Sequence, residues 1–520
     1  MGRGAFELEL KFTGAPQDVA RLQNARFLKA LSGGDGRWAR LNSAYFDTKD
    51  GRLAAEEIAL RLREESGKRI QTVKRATAAG AIVREEFECE IGDRDAFPQP
   101  TGDEEIDHLL KAVSGELEAI AKIRVDRWTQ TLKFGGSEFE LALDLGAASA
   151  PSLSQAEAPI AEVEIEFKRG EMADLFELGR LIVDNAPVRL AARTKLETAR
   201  AVGAGESYAV AKLEKPAIEP DEPAVEALQA MLAAIAVRII NIQAALLETR
   251  AVEGVHQMRV ALRRFRAIER TFRRAVETDA LYALTRRARA IAQLLGPARD
   301  LDVFLSETLP DVFQRYHTPA GADALRAAAE AARAAAWADA HAAIADKAFS
   351  HFALDLLEAG VIAPWRDSAR KKGRGPLRKF APAALDKTLA RARKAEAAMD
   401  RTELAARHPL RIALKKQRYA AQMLGPLFPR ETRKPYMRAL SRLQEALGVV
   451  NDAVVAQRLA EEVGRNAGAD AMRAAGFVAG FKAAEAEAAV GEIDRAWELF
   501  DKTTPFWREE NARDTDHSLP

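Results

Sequence analysis

The hydrophobic periodicity of the chain changes once, and that change limits what each part can fold into. Up to about Lys195 apolar and polar residues alternate repeatedly, in ELELKF, ALRLR, REEFECE, FELALD and AEVEIEFK. Period two is the mark of a half-buried strand. From Ala224 to about Leu499 the chain is rich in Ala, Leu, Arg and Glu that recur at helical spacing, with few β-branched clusters. Such a stretch is almost wholly helical. The expected fold class is α+β: a sheet-based region over residues 1–205, with helical stretches such as Asp103–Ala121, then an all-α region over 224–505. Pro216, Pro220 and Pro223 mark 206–223 as the linker, and the polar residues 506–520 read as a disordered tail.

The helical region contains an internal repeat. His256 to Arg266 (HQMRVALRRFR) aligns without a gap on His408 to Arg418 (HPLRIALKKQR), at an offset of 152. The same offset carries Leu295-Gly296-x-x-Arg299-Asp300 onto Leu447-Gly448-x-x-Asn451-Asp452. Two matches in one register predict two pseudo-symmetric helical bundles, about 224–365 and 376–505.

Composition narrows the chemistry. With 520 residues there is room for two to four domains. A single cysteine, Cys89, excludes an internal disulfide and a cysteine-based zinc site. No uninterrupted apolar run reaches the roughly 18 residues of a membrane span, and MGRGAFELELKF is too acidic for a signal peptide. The expectation is a cytoplasmic protein without a membrane partner. The net charge of +1 hides an asymmetry: residues 1–200 carry 29 Lys+Arg against 35 Asp+Glu, leaving 49 against 42 for the rest.

In a strand alternate residues share a face, so Glu7, Glu9 and Lys11 form one charged row. Similar rows are Arg61 with Arg63, Arg84 with Glu86 and Glu88, Lys122 with Arg124, Glu140 with Asp144, and Glu162 with Glu164, Glu166 and Lys168. Any one row could be the wet face of an antiparallel sheet. If the sheet curls so that the rows face inward, the interior holds both carboxylates and cations and must host water, metal or a charged ligand. Clustered acids suit a hard divalent cation, and Arg with Lys suit phosphate oxygens.

The ordered set Glu7-x-Glu9-x-Lys11, Arg61-x-Arg63, Lys74, Arg84-x-Glu86-x-Glu88, Lys122-x-Arg124, Asp144, Glu162-x-Glu164 and Lys195 resembles the CYTH domain of the triphosphate tunnel metalloenzyme family, over about residues 4–200. The resemblance implies an eight-stranded antiparallel β-tunnel with flanking helices. It implies Glu7, Glu9, Asp144, Glu162 and Glu164 as ligands of Mg²⁺ or Mn²⁺, Lys11, Arg61, Arg63 and Lys74 as catalytic cations, and Arg84, Lys122, Arg124 and Lys195 as further substrate contacts. Glu166 continues the acidic row as an alternative to Glu162. Thr194-Lys195 departs from the family's usual Ser-Lys pair but keeps the cation.

At about 100° per residue, His256, Arg259, Arg263 and Arg266 fall within an arc of about 80°, and His408, Arg411, Lys415 and Arg418 do the same. From His256 to Asp300 there are 11 Arg against 4 acids, and from His408 to Asp452 there are 9 Lys+Arg against 3. Stacked like charges destabilise an isolated helix, so a solvated face or a bound polyanion is needed to offset them. Interleaved aromatics are few, chiefly Phe265, Phe272 and Tyr419, which argues against nucleic acid. The duplicated His/Arg helix resembles the CHAD domain, the conserved-histidine α-helical domain. That resemblance implies a basic cleft for inorganic polyphosphate, with those eight residues as contacts, Asp300 and Asp452 orienting arginines, and association with polyphosphate granules. The implied activity is hydrolysis of inorganic triphosphate to diphosphate and phosphate. Thiamine triphosphatase, adenylate cyclase and a non-catalytic polyphosphate-granule binding protein are the alternatives.

Overall fold

The structure, a computed structural model, describes residues 5–65, 67–76, 83–92, 95–207, 216–249, 252–315 and 318–508. Part of the expected linker (208–215) and most of the expected tail (509–520) lie outside them, as do the side chains of Glu7 and Arg84. The fold is α+β, an antiparallel sheet followed by a helical region. The chain divides into two compact units. The first comprises Met1–Glu214 with Leu232–Ala251 and Ile344–Pro364, the second Lys215–Met231, Val252–Ala343 and Trp365–Pro520.

The first unit is built on β1 (Ala5–Thr13), β2 (Arg37–Asp47), β3 (Ile58–Glu65), β4 (Lys68–Ala76), β5 (Val83–Ile91), β6 (Glu118–Phe134), β7 (Ser137–Ser149), β8 (Glu157–Arg169) and β9 (Arg189–Leu190). They pair in the order β5-β4-β3-β2-β6-β7-β8-β1-β9. Among the described residues the sheet therefore has nine strands where eight were expected, the ninth being a two-residue strand on Phe12 and Thr13 of β1. The first half of β1 also pairs with β5, Ala5 opposite Glu86 through Leu8 opposite Val83. Inward side chains of β1 to β8 consequently share one interior.

Among the described residues six helices accompany this sheet: α1 (Pro16–Leu22), α2 (Arg26–Leu31), α3 (Arg52–Ala55), α4 (Glu104–Val113), α5 (Met172–Asn185) and α6 (Lys195–Ala204). Outward Leu60 and Val73 form a core with Ile106, Leu110 and Val113 of α4. Leu10 and Phe12 of β1 are fully buried. There α5 approaches closely through Gly179, where a Cβ would lie 3.1 Å from Leu10 and 3.2 Å from both Phe12 and Leu354. Thr194 and Glu197 close a capping box at the start of α6, satisfying amides that would otherwise be orphaned. Inside the sheet, Ala199 and Leu196 of α6 pack against Leu41, Ile123, Val125 and Ile160, so α6 fills one end of the interior with apolar contacts.

The helical region consists of α7 (Ala224–Thr249), α8 (Val252–Phe272), α9 (Asp279–Leu294), α10 (Gly296–Val303), α11 (Leu309–Arg315), α12 (Ala322–Ala345), α13 (Lys347–Val361), α14 (Leu377–Ala397), α15 (His408–Leu424), α16 (Arg430–Arg465) and α17 (Ala469–Lys502). Where the first repeat breaks between α9 and α10, the second runs on as the 36-residue α16. Pro297 explains the break: it starts α10 from a position where its missing N–H costs nothing, whereas Val449 at the repeat-equivalent position lets α16 continue. One helix bears on the membrane expectation. By length and composition α7 could cross a membrane, with a mean hydropathy of 1.9 over an 18-residue window, interrupted by Arg238. It is apolar nearly all round because 61% of that window is buried inside the protein. Its Leu232–Thr249 portion and α13 belong to the first compact unit.

Candidate active site

The alternation of β1 buries Leu8, Leu10 and Phe12 outward and turns Glu9 and Lys11 inward. By the same parity β3 supplies Arg61 and Arg63, β4 supplies Lys74, β5 supplies Glu86 and Glu88, and β8 supplies Glu164. These side chains, with Lys195 from the first turn of α6, line a cavity of about 250 Å³. Asp144 and Glu162 lie beside it, fully or almost fully buried.

The acids Asp144, Glu162 and Glu164 bring one oxygen each to within 4.8 Å of the others, a spacing that could hold a metal ion. Lys195 reaches all three with its Nζ, at 2.8 Å from Asp144, 2.7 Å from Glu162 and 2.6 Å from Glu164. Lys11 lies 2.8 Å from Glu164 and 3.4 Å from Glu9. Arg127 donates to both oxygens of Asp144, at 2.7 and 2.6 Å, and at 2.6 Å to Glu164. Burial pushes the carboxyl of Glu164 up, but Lys11, Lys195 and Arg127 outweigh it and hold that group well below the usual range. Burial likewise opposes the charge on Lys195, and the three carboxylates keep it protonated far above neutral pH. Glu162 Oε2 lies 2.7 Å from Lys195 Nζ without hydrogen-bond geometry, so the two are paired by charge alone.

The side chains from β3, β4 and β5 are mixed in charge, Arg61, Arg63 and Lys74 standing with Glu86 and Glu88. Arg61 donates to Thr72 at 2.9 Å and to Glu88 at 3.3 Å, and Lys74 lies 3.2 Å from Glu86. Arg61 Nε is buried without a hydrogen-bond partner. Burial and the neighbouring Arg61 lower the pKa of Arg63, so the two guanidinium groups repel in a partly dehydrated place. An anion relieves both costs.

Two predicted contacts face the other way. Lys122 and Arg124 are exposed, and Arg124 pairs with Glu157 at 2.5 Å. The inward row of β6 is Ile123, Val125 and Arg127, because α6 needs an apolar lining at that end. Arg127 is a cavity-lining cation that the pattern reading passed over; its signal was a single charge in phase with an apolar row. The backbones of Glu7 and Arg84 are paired opposite each other between β1 and β5, and their side chains lie outside the described residues.

In the second unit the repeated helices behave alike. Arg411 pairs with Asp452 at 3.7 Å, and at the equivalent place Asp300 acts on Arg259 and lies 3.5 Å from Arg458. Arg259 Nη1 also donates to the Ala292 carbonyl at 2.6 Å. α15 packs against α8, and burial, with Arg263 of α8 adding to it, lowers the pKa of both Arg411 and Lys415, so the two repeats' cations adjoin. Lys415 is pulled down to about 8 by burial, then Arg411 and Arg263. Burial, then Arg299, lowers the pKa of His256, whereas His408 is exposed. Arg418 donates to Gln444 at 3.0 Å, and burial with Arg289 lowers Arg266. The Nε atoms of Arg263 and Arg411 are buried without hydrogen-bond partners. Phe265 and Phe272 are fully buried and offer no stacking surface. Sequence reading did not single out the cations flanking this cluster: Lys416 is also lowered to about 8, by burial, then Arg270 and Arg391.

Comparison with known proteins follows this division. Residues 5–198 match the CYTH domain and residues 226–461 the CHAD domain. The inorganic triphosphatase of Haemophilus influenzae is 27% identical over 173 residues, which cover 33% of this chain and 47% of that protein, so the match spans about half the relative's length. The crystal structure of the CHAD domain from the plant Ricinus communis is 27% identical, with a TM-score of 0.48 over 57% of this chain and 98% of that one. A Hippeastrum protein described as a putative adenylyl cyclase with a dominant triphosphatase activity is 18% identical, with a TM-score of 0.29 over 38% of this chain and 96% of that one. The chain thus carries a CYTH domain followed by a CHAD domain.

Proposed function

We propose that the first unit hydrolyses inorganic triphosphate to diphosphate and phosphate with the help of Mg²⁺ or Mn²⁺, and that the helical region binds inorganic polyphosphate. The observation that carries the first part is that one place brings together a buried tripod of acids, Asp144, Glu162 and Glu164, and the cavity-lining cations Arg61, Arg63 and Lys74. The acids suit a hard divalent cation, which when bound would neutralise phosphate charge and acidify a water. Arg61, Arg63 and Lys74 bind and orient the phosphate chain and neutralise charge as the P–O bond breaks and the leaving diphosphate takes it up. Lys11 and Arg127 hold Glu164 and Asp144 in place. The volume of about 250 Å³ suits a short phosphate chain. The likeness to an inorganic triphosphatase favours triphosphate over thiamine triphosphate and ATP.

The test is phosphate release measured in parallel on triphosphate, thiamine triphosphate, ATP and long-chain polyphosphate, with and without divalent cation. Triphosphate is expected to give the highest kcat/KM, and the Arg61→Ala, Arg63→Ala double variant to lose at least a hundredfold. Preference for an organic triphosphate, or an unchanged double variant, overturns the reading. Polyphosphate binding rests on the joined cation clusters of α8 and α15 with the unpartnered Nε atoms of Arg263 and Arg411. It should fall steeply with salt and exceed binding to duplex DNA at equal phosphate concentration. Equal affinity for the two polymers overturns it.

A further inference from the structure

The three acids that suit a divalent cation already hold an ion of the protein's own. Lys195 Nζ sits in their tripod at 2.6 to 2.8 Å from an oxygen of each. A hard divalent cation would seek the same oxygens at roughly 2.0–2.1 Å. Lys11 meets this set at Glu164 Oε1, which it shares with Lys195, whereas Lys195 spans all three acids and so stands where a metal held by all three would stand; the ammonium and the metal therefore compete for one place.

Arg127 does not compete in the same way. It meets Asp144 side-on through two nitrogens and takes the Glu164 oxygen that Lys195 leaves, whereas Glu162 is reached by Lys195 and not by Arg127. Of the two, Lys195 has the more flexible stem. Its backbone is fixed in the first turn of α6 by the Thr194–Glu197 capping box, and the body of α6 is anchored by Ala199 in the apolar end of the interior. The four-carbon stem leaves the ammonium free to swing while the helix stays. Lys195 lines the same cavity as Arg61, Arg63 and Lys74, so a phosphate chain there would give the displaced ammonium new oxygens.

We infer that Lys195 is a built-in counter-ion that holds the metal place until metal and triphosphate enter together. The inference rests on the metal reading proposed above. It makes metal binding to the free protein weak, because the metal must evict an ammonium that then lacks a partner, and makes it tighter once phosphate is present.

Mn²⁺ binding to the full chain, followed by loss of the free Mn²⁺ signal in electron paramagnetic resonance without any phosphate, tests this. Lys195→Met should bind Mn²⁺ at least tenfold more tightly than the unaltered chain, and Lys195→Arg, which keeps the charge, should not. Melting temperature gives a second readout that survives a destabilised variant: Mn²⁺ should raise it more in Lys195→Met than in the unaltered protein. A Lys195→Met variant that binds Mn²⁺ no more tightly, and gains no extra thermal stabilisation, overturns the counter-ion while leaving the metal reading intact. Absence of Mn²⁺ binding in all three proteins, with and without triphosphate, overturns both.

Discussion

Replacing Arg127 by methionine should damage the first unit more than any exposed substitution, and the size of the effect follows from the charges around it. Four carboxylates, Glu9, Asp144, Glu162 and Glu164, share three cations, Lys11, Lys195 and Arg127. Removing the guanidinium leaves four against two, and Asp144 loses a bidentate partner although it is completely buried. Breaking a buried pair by removing one member costs about 3–5 kcal/mol. Lys195 still serves Asp144 and Glu164, so about 3 kcal/mol is expected here, equivalent to a fall of roughly 6–12 °C in the melting temperature of a unit of this size. The assay is thermal unfolding followed by circular dichroism at pH 7 for Arg127→Met, Glu164→Gln and the double variant. Glu164→Gln removes the charge that Arg127 balances, so the double variant should be less damaged than the sum of the singles by at least 1 kcal/mol. Additive effects, or a single variant within about 0.5 kcal/mol of the unaltered chain, would refute the reasoning about a shared charge cluster.

Glu9→Gln removes a carboxylate from the cavity without changing its volume, so metal-dependent triphosphate hydrolysis should fall at least a hundredfold with the melting temperature nearly unchanged; near-normal turnover at saturating Mg²⁺ would remove Glu9 from the site. Lys122→Ala and Arg124→Ala, both outward-facing, should each keep kcat/KM for triphosphate within twofold, and a large loss in either would mean that β6 presents its other face to substrate. Lys415 and Lys416 titrate near 8 because burial and neighbouring arginines disfavour their charge. Affinity for polyphosphate should therefore be full below about pH 7 and decline through pH 8–9 as the two ammonium groups deprotonate, and folding stability should rise over that interval because the unfolded chain then binds more protons; the Lys415→Arg, Lys416→Arg variant should flatten the binding profile measured by titration calorimetry. A chain ending at residue 205 lacks α13, whose Leu354 packs at Gly179 and whose Asp355 accepts from Arg180 at 2.8 Å, so it should melt at least 10 °C lower than the full chain or bind a hydrophobic dye; an equally stable fragment would show that α13 is dispensable to the sheet.

The alternation in β1, β3 and β8 was enough to place Glu9, Lys11, Arg61, Arg63 and Glu164 on one face, because their apolar partners pack outward on helices. The same rule misled on β6. There the apolar residues Ile123 and Val125 turn inward to meet α6, so the charged pair Lys122 and Arg124 is left in solvent and the odd-numbered Arg127 enters the site. Period-two patterns distinguish the two faces of a strand but not which one is inside, and that choice depended on a helix 70 residues further along the chain. The repeat at offset 152 showed which helices correspond, and Pro297 against Val449 even marked where one copy breaks. That Lys195 would rest among the metal-type acids could not be read from spacing, since it depends on how α6 enters the interior.

The most direct test of the proposed activity is phosphorus nuclear magnetic resonance of inorganic triphosphate incubated with the full chain and Mg²⁺. The triphosphate resonances should disappear while diphosphate and phosphate appear in equal amounts, and the Asp144→Asn variant should leave the spectrum unchanged. Intact triphosphate with Mg²⁺ and again with Mn²⁺ in its place, or equal turnover by the Asp144→Asn variant, would contradict the assignment of this cavity as a metal-assisted triphosphatase site.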